Sequence, residues 1–163
     1  MTYHLRPMTL PYTAGSLATN GMGGTPMAEI RNKYSATSKT TDVLGRTLNS
    51  ARTNHWVIDS PSGPAEAVST GESFMAGIAA CGVSLIEHHA ARNSLPFGTL
   101  SVDIEGARTD VSWPDFDWIN VHFTFTGISE DQAGSLVEVW KGNCPLYRAV
   151  VKGTTVNVSF EAK

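Results

Sequence analysis

The sequence has little charge, few cysteines and no long apolar run. Its 163 residues include 12 Lys and Arg against 15 Asp and Glu, which gives a net charge of −3. Because no basic excess is left to neutralise phosphates, we expect neither a nucleic-acid partner nor an anionic membrane partner. No run of about 20 apolar residues and no apolar leader is found. These absences predict a cytoplasmic protein without a membrane segment.

The two cysteines stand in contrasting local sequences. Cys81 lies within the apolar run 74–86, and Cys144 follows the helix-ending sequence at 141–143. Structural disulfides are rare in the cytoplasm, so the residues are either inert thiols or redox-active ones. If they are inert, Cys81 is a small hydrophobic residue of the core and Cys144 is an exposed bystander.

Hydrophobic periodicity predicts one α+β domain with a mainly antiparallel sheet and two main helices. The expected order is three strands, a helix, two strands, a helix and a final strand. Residues 1–26, rich in Gly, Thr and Pro, are interpreted as an extended N-terminal arm before a domain of residues 27–163. Strands are expected near 28–37, 43–50, 53–59, 99–105, 118–125 and 154–160, and helices near 71–93 and 129–142.

Both predicted helices begin with a capping-box sequence, Ser69 with Glu72 and Ser129 with Gln132. The first helix is apolar all round from residue 74 to residue 86, which predicts burial on every face. One other long helix is too little to cover it. We therefore expect a second subunit to bury the rest, in an obligate homodimer.

The local settings of the cysteines suggest different roles. A thiol attacks as the thiolate, and apolar surroundings raise its pKa. Cys81 lies more than two turns into its helix, beyond the reach of the helix dipole, so an arginine has to be brought to it. Cys144 is expected just beyond a helix C-terminus, which disfavours a thiolate. A plausible division is that Cys81 attacks, becoming a sulfenic acid, and that Cys144 resolves it.

Four segments, in order, resemble the OsmC/Ohr family, the osmotically induced and organic-hydroperoxide-resistance proteins. The resemblance covers most of residues 28–163. The segments are Asp59–Pro64, similar to an Asp-x-Pro loop; Gly71–Cys81, similar to the opening of the central helix; Leu95–Gly106, similar to the strand after it; and Asn143–Arg148, similar to a Cys-Pro segment.

The resemblance implies an OsmC-like fold and an intertwined homodimer with active sites at the subunit interface. It also implies a two-cysteine peroxidase that reduces organic hydroperoxides in oxidative stress defence. Cys81 takes the peroxidatic position and Cys144 the resolving one. An external dithiol reductant of the lipoyl type, supplied by a partner protein, would return the electrons, and no bound cofactor is implied.

Two catalytic residues of the family have no direct match. The family's Glu falls at Gly71, one position before Glu72, so Glu72 is interpreted as either a catalytic acid or a helix cap. The family's Arg lies in a Gly-Gly-Arg hairpin that this sequence lacks. Arg46 is the nearest analogue, with Arg31 and Arg52 as alternatives.

Two other functions compete with a peroxidase. The missing Glu and Arg leave open an OsmC-like small-molecule-binding protein without peroxidase activity. His88 and His89, with Cys144 or Glu87, could imitate zinc ligands. That site is disfavoured because two helical turns, about 11 Å, separate Cys81 from the histidines.

Overall fold

The structure is a computed structural model that describes residues 33–110 and 114–163. Ser35–Lys163 forms one compact unit. The predicted arm of residues 1–26 and the start of the predicted first strand lie outside the described residues. In chain order the elements are β1 (Thr37–Thr40), β2 (Arg46–Ala51), β3 (Asn54–Asp59), α1 (Thr70–Arg92), β4 (Leu100–Ala107), β5 (Trp118–Phe125), α2 (Glu130–Asn143), α3 (Pro145–Val150) and β6 (Thr155–Ala162).

Two differences from the predicted elements stand out. The first described strand, β1, begins at Thr37, where the predicted strand was expected to end, and its remaining residues come from the expected connection. The short helix α3 was not predicted, because its six residues are too few to show a hydrophobic period. The other strands and both long helices lie where periodicity and capping sequences predicted them.

The strands form two three-stranded sheets, ordered β1-β2-β3 and β4-β5-β6. Three of the pairings are antiparallel, and β5 pairs with β6 in parallel. The parallel pair follows from the chain path, since α2 and α3 form the crossover between these two strands. The prediction of an α+β fold with a mainly antiparallel sheet is confirmed, and the parallel pair is an addition to it.

The core lies between the second sheet and the two long helices. Every second residue of β5 is buried, and the residues between them, Asn120, His122 and Thr124, point to the opposite face. From α2, the fully buried Trp140 packs against Phe123 with ring centroids 4.9 Å apart. The buried residues of β5 are Ile119, Val121, Phe123 and Phe125.

α1 begins at the predicted capping box. The Ser69 hydroxyl accepts the N–H of Glu72 at 3.2 Å, and the Ser69 N–H donates to Glu72 Oε2 at 2.7 Å. At the other end the Asn93 side chain donates to the His89 carbonyl at 2.8 Å. Two backbone N–H groups at the start of α1 are therefore satisfied by side-chain oxygens, each from the other residue of the capping box.

One stripe of α1 is buried within the chain. Ile78, Gly82, Ile86 and Ala90 repeat every four residues, so they share one face of the helix. At Gly82 a Cβ atom would lie 3.2 Å from the Phe123 ring, which means the helix backbone approaches the sheet closely. The described residues cover the other faces of α1 only in part. The expectation that a second subunit completes the burial stays a prediction.

Within the described residues, α1 is also long and apolar enough to cross a membrane by length and composition alone. The sequence was expected to hold no such segment, because the run is interrupted by small and polar residues. Core helices of soluble proteins pass the same test, so a single helix is weak evidence of a span. α1 packs against β4 and α2 and buries one stripe of its surface.

The second capping box predicts a measurable loss of stability. Ser129 Oγ accepts the Gln132 N–H at 3.3 Å, and Gln132 Oε1 accepts the Ser129 N–H at 3.0 Å. We expect Ser129→Ala to lower the free energy of unfolding by about 1 kcal/mol, measured by urea denaturation. The control is Ser135→Ala within the same helix, which should leave stability equal or slightly higher because alanine is the better helix former. Equal losses of stability in both variants would contradict the assignment of Ser129 as the helix cap.

Candidate functional site

The fold brings the two thiols into contact. Cys144 Sγ lies 2.9 Å from Cys81 Sγ although 63 residues separate them along the chain. Both cysteines are free thiols. A disulfide bond is about 2.05 Å long, so an approach of roughly 1 Å would join the two sulfurs. The arrangement is suited to forming and breaking a disulfide without a large movement of the backbone.

Cys144 is the joint between α2 and α3. Its N–H donates to the Trp140 carbonyl at 2.8 Å and so closes α2. Its sulfur accepts the Tyr147 N–H at 3.4 Å and so caps the start of α3. Pro145 occupies the first position of α3, where a missing N–H costs nothing. The Cys-Pro sequence was thus the available signal for this helix.

Two expectations for Cys144 are corrected by this joint. The residue is 0% exposed, so the interpretation as an exposed bystander is wrong. It does lie at a helix C-terminus, but it lies at a helix start as well, and the Tyr147 N–H points at its sulfur. A hydrogen bond to the charged form of a thiol favours that form. The sequence argument that the position disfavours a thiolate was therefore incomplete.

Cys81 lies on the face of α1 that meets α3. Gly77, one turn earlier, has no side chain, and a Cβ there would lie 3.9 Å from Leu146 Cδ1. Burial raises the pKa of the Cys81 thiol well above its ordinary value, and the hydrogen bond and charge of Cys144 raise it further. Among the residues described, no cationic side chain contributes to that shift. Within the described part of the chain, burial therefore favours the neutral thiol of Cys81.

Arg46 is held by two carboxylates that sequence reasoning did not assign to it. Its Nε and Nη2 atoms donate to the two oxygens of Asp59, both at 2.8 Å, and Nη2 also donates to Glu66 at 2.7 Å. The pairing of β2 with β3 sets Arg46 directly opposite Asp59. A bidentate guanidinium–carboxylate pair is strong and fixes the orientation of both groups.

Asp59 is the buried centre of this cluster, at 1% exposure. Besides Arg46, it accepts the N–H groups of Glu66 at 2.9 Å and Ala67 at 3.0 Å. The hydrogen bonds from Arg46 lower the pKa of Asp59 well below its usual range, and the same bonds raise the pKa of Arg46. The cluster ties the loop before α1 to the first sheet. The Asp-x-Pro sequence was the only hint of it.

Glu72 acts as a helix cap in this structure. Its carboxylate accepts the Ser69 N–H, which lowers the pKa of Glu72. Arg46 binds Asp59 and Glu66 rather than Glu72, so the chain itself does not form the expected pairing of Arg46 with Glu72. Of the alternative arginines, Arg52 lies in the β2–β3 turn and Arg31 lies outside the described residues. Catalytic roles for Arg46 and Glu72 stay predictions.

A cleft of about 730 Å³ lies between α1 and β4. Its lining combines apolar residues such as Met75, Ile104 and Phe116 with four charged ones, Glu72, Asp103, Glu105 and Arg108. Cys81 is not part of the lining, since it belongs to the α3 face of α1. The described part of the chain has no group of three or more His, Cys, Asp or Glu side chains that could hold a metal. The cleft is suited to a small molecule with both apolar and polar parts.

A family model described as OsmC-like protein matches residues 63–159, which is more than half of the chain. The match includes both cysteines, the cleft and the α2–α3 joint. No curated protein matches the chain.

Solved structures share the fold at low sequence identity. An OsmC-like protein from Mycoplasma pneumoniae superposes with a TM-score of 0.73 at 17% identity, covering 82% of this chain and 99% of that one. An organic hydroperoxide resistance protein OsmC from Legionella pneumophila gives 0.65 at 20%, covering 82% and 99%. The organic hydroperoxide resistance protein OhrB of Bacillus subtilis gives 0.61 at 17%, covering 80% and 98%. At these identities the likeness shows the fold alone.

The Asp59 cluster predicts a loss of stability in acid. The pKa of Asp59 is lower in the folded chain than its ordinary value of about 3.9. Its stabilising contribution is therefore complete above about pH 4 and declines as the pH falls through the lower, folded pKa. We expect Asp59→Asn to be less stable than the wild type at pH 7, with a gap that narrows below about pH 4.

Urea denaturation between pH 7 and pH 3 measures that gap. The matched control is Glu66→Gln, which removes the other carboxylate bound to Arg46. The Glu66 side chain is 73% exposed, so its substitution should change stability little at any pH. A gap between wild type and Asp59→Asn that stays constant down to pH 3 would show that Asp59 does not titrate as described.

Proposed function

The chain belongs to the OsmC family, and from that premise we propose that it is a thiol-dependent peroxidase that reduces organic hydroperoxides through Cys81 and Cys144. The observation that carries the proposal is the 2.9 Å separation of the two sulfurs. Two proteins with the same fold are named as organic hydroperoxide resistance proteins, which supports the choice of substrate class. The proposed setting is oxidative stress defence in the cytoplasm.

The first step is attack by the Cys81 thiolate on the distal oxygen of the hydroperoxide. The O–O bond breaks, an alcohol leaves after taking up a proton, and Cys81 becomes a sulfenic acid. Cys81 is the attacking residue because it is partly exposed, whereas Cys144 is 0% exposed. A peroxide can therefore reach Cys81 without opening the α2–α3 joint.

The second step is condensation of the two cysteines. The Cys144 thiolate attacks the sulfur of the Cys81 sulfenic acid, a disulfide forms, and hydroxide leaves and is protonated to water. The Tyr147 N–H, 3.4 Å from Cys144 Sγ, stabilises that thiolate before it attacks. An external dithiol, of the lipoyl type and supplied by a partner protein, then restores both thiols by exchange. No bound cofactor takes part.

The first step needs a cation, because burial holds the pKa of Cys81 high in the single chain. We propose Arg46 of a second subunit as that cation, in an intertwined homodimer with its active sites at the interface. Support comes from the guanidinium, which Asp59 and Glu66 already hold in a fixed orientation. Glu72 is kept as a further candidate for orienting the arginine when a second subunit is present.

Exposed apolar side chains support the homodimer. The first sheet leaves Leu48, Trp56 and Val57 more than a third exposed, although aromatic and branched residues in adjacent strands normally cover a core. α1 buries one stripe and leaves Phe74 39% exposed near its start. A second copy that covers the first sheet and the start of α1 near Phe74 would bury these exposed apolar side chains.

A second function is favoured by the cleft between α1 and β4. Its volume and its mixed lining of apolar and charged residues suit a small molecule with apolar and polar parts, and Cys81 is not part of that lining. If the cysteines do not react with peroxides, the alternative is an OsmC-like small-molecule-binding protein without peroxidase activity. A hydroperoxide titration separates these two functions.

The peroxidase predicts the loss of both thiols when the native protein receives one equivalent of cumene hydroperoxide. A free-thiol count should fall from two per chain to none and return after treatment with a dithiol. Cys81→Ser should abolish turnover and keep its remaining thiol. Cys144→Ser should lose one thiol and be labelled by dimedone, because its sulfenic acid has no partner. Two thiols that persist in the wild type would favour the binding protein.

The role of Arg46 predicts a change in the pKa of Cys81, measured from the pH dependence of alkylation. In the assembled wild type we expect a pKa below the ordinary thiol value of about 8.5. Arg46→Gln should raise it and lower kcat/KM about 100-fold, since each pKa unit above the assay pH removes about nine-tenths of the thiolate. Arg52→Gln, in the turn at the other end of the β2–β3 hairpin, is the control and should change neither value. A pKa unaffected by Arg46→Gln would exclude this arginine.

A further inference from the structure

The two sulfurs of the pair differ in access from outside. Cys144 is 0% exposed and belongs to the core cluster that includes Trp140 and Val137. Cys81 is partly exposed on the surface of α1. Because an approach of roughly 1 Å joins the sulfurs, the disulfide keeps nearly the same positions and the same difference in access.

We propose that the dithiol that restores the pair attacks the sulfur of Cys81 and expels Cys144. The proposal deepens the function above, because it says which end of the disulfide the reductant meets. It also defines where a partner has to dock: on the side of α1 that carries Cys81 and meets α3, not on the outside of the α2–α3 joint.

The leaving group supports the same direction of attack. In thiol–disulfide exchange, a hydrogen-bond donor beside the departing sulfur stabilises the negative charge that develops on it. Departing Cys144 receives the Tyr147 N–H at 3.4 Å. Within residues 33–110 and 114–163, the hydrogen bond made to Cys81 Sγ comes from Cys144 itself, so Cys81 as a leaving group would lack a backbone donor. Access and leaving-group stabilisation therefore both favour attack on the sulfur of Cys81.

The exchange balances in two steps. One thiolate of the dithiol bonds to Cys81 Sγ, the Cys81–Cys144 bond breaks, and its electron pair goes to Cys144, which takes up the proton. The second thiolate of the same dithiol then attacks the reductant's first sulfur, the one bonded to Cys81 Sγ. A disulfide closes within the reductant. Cys81 leaves as the thiolate or thiol. The dithiol loses two electrons and the protein gains two.

The test uses a monothiol, because it has no second thiol with which to resolve the mixed disulfide, so a brief exposure traps the first step. The wild-type protein is oxidised with diamide, which makes the disulfide without any peroxide. It is then exposed briefly to excess 2-mercaptoethanol, stopped in acid, alkylated in denaturant and digested with trypsin. The two cysteines fall in separate peptides, residues 53–92 and 142–148. Mass spectrometry measures the fraction of each that carries mercaptoethanol.

We expect the adduct on peptide 53–92 to exceed that on peptide 142–148 by about tenfold or more. The control is the same oxidised protein treated after unfolding in urea, where the two adducts should be similar because access is then equal. Equal labelling in the folded protein, or labelling mainly on 142–148, would overturn the proposal. Failure of diamide to form the disulfide would overturn it as well.

A second measurement does not depend on the disulfide. With the aromatic disulfide 5,5′-dithiobis(2-nitrobenzoate), the Cys81 thiol of Cys144→Ser should react about tenfold faster than the Cys144 thiol of Cys81→Ser. Equal rates, or a faster Cys144, would contradict the difference in access. Neither experiment uses a hydroperoxide. The direction of attack can therefore be confirmed in a protein that has no peroxidase activity, and it can be contradicted in a protein that has it.

Discussion

The close packing of α1 on the second sheet is the constraint on which the rest of the structure depends. A Cβ at Gly82 would lie 3.2 Å from the Phe123 ring and 3.4 Å from Val102, so the helix sits about as near to the sheet as its backbone allows. Cys81 is the preceding residue, and its position is fixed by that contact. The crossover from β5 through α2 to α3 then has to pass over the same helix, which brings Cys144 to its sulfur.

Much of this fold follows from local sequence, and the site follows only in part. Capping at Ser69 and Ser129 and the alternation along β5 depend on neighbouring residues, so they can be read directly. The partners of Arg46 depend on strand register, and the buried state of Cys144 depends on a helix of six residues. Neither leaves a periodic pattern. The cysteines were paired by resemblance and by their chemistry, because no spacing rule joins residues 63 positions apart.

α1 explains why composition alone misleads about this chain. The helix is apolar on most faces, yet a single stripe of it is buried by its own chain. The same helix has the length and composition of a membrane span. One such helix is weak evidence of a span, because core helices of soluble proteins pass the same test. The second subunit proposed above would cover apolar residues that are left open on the first sheet and on α1.

The sulfur of Cys144 serves chemistry and architecture at the same position. It faces Cys81, and it also caps α3 by accepting the Tyr147 N–H. A serine hydroxyl is among the better helix N-caps, so serine at this position would keep the joint between α2 and α3 while removing the thiol. Replacing the sulfur of residue 144 with oxygen would therefore remove its redox chemistry and keep the helix cap. One scaffold can support both thiol-active and thiol-inactive descendants without rebuilding its helices.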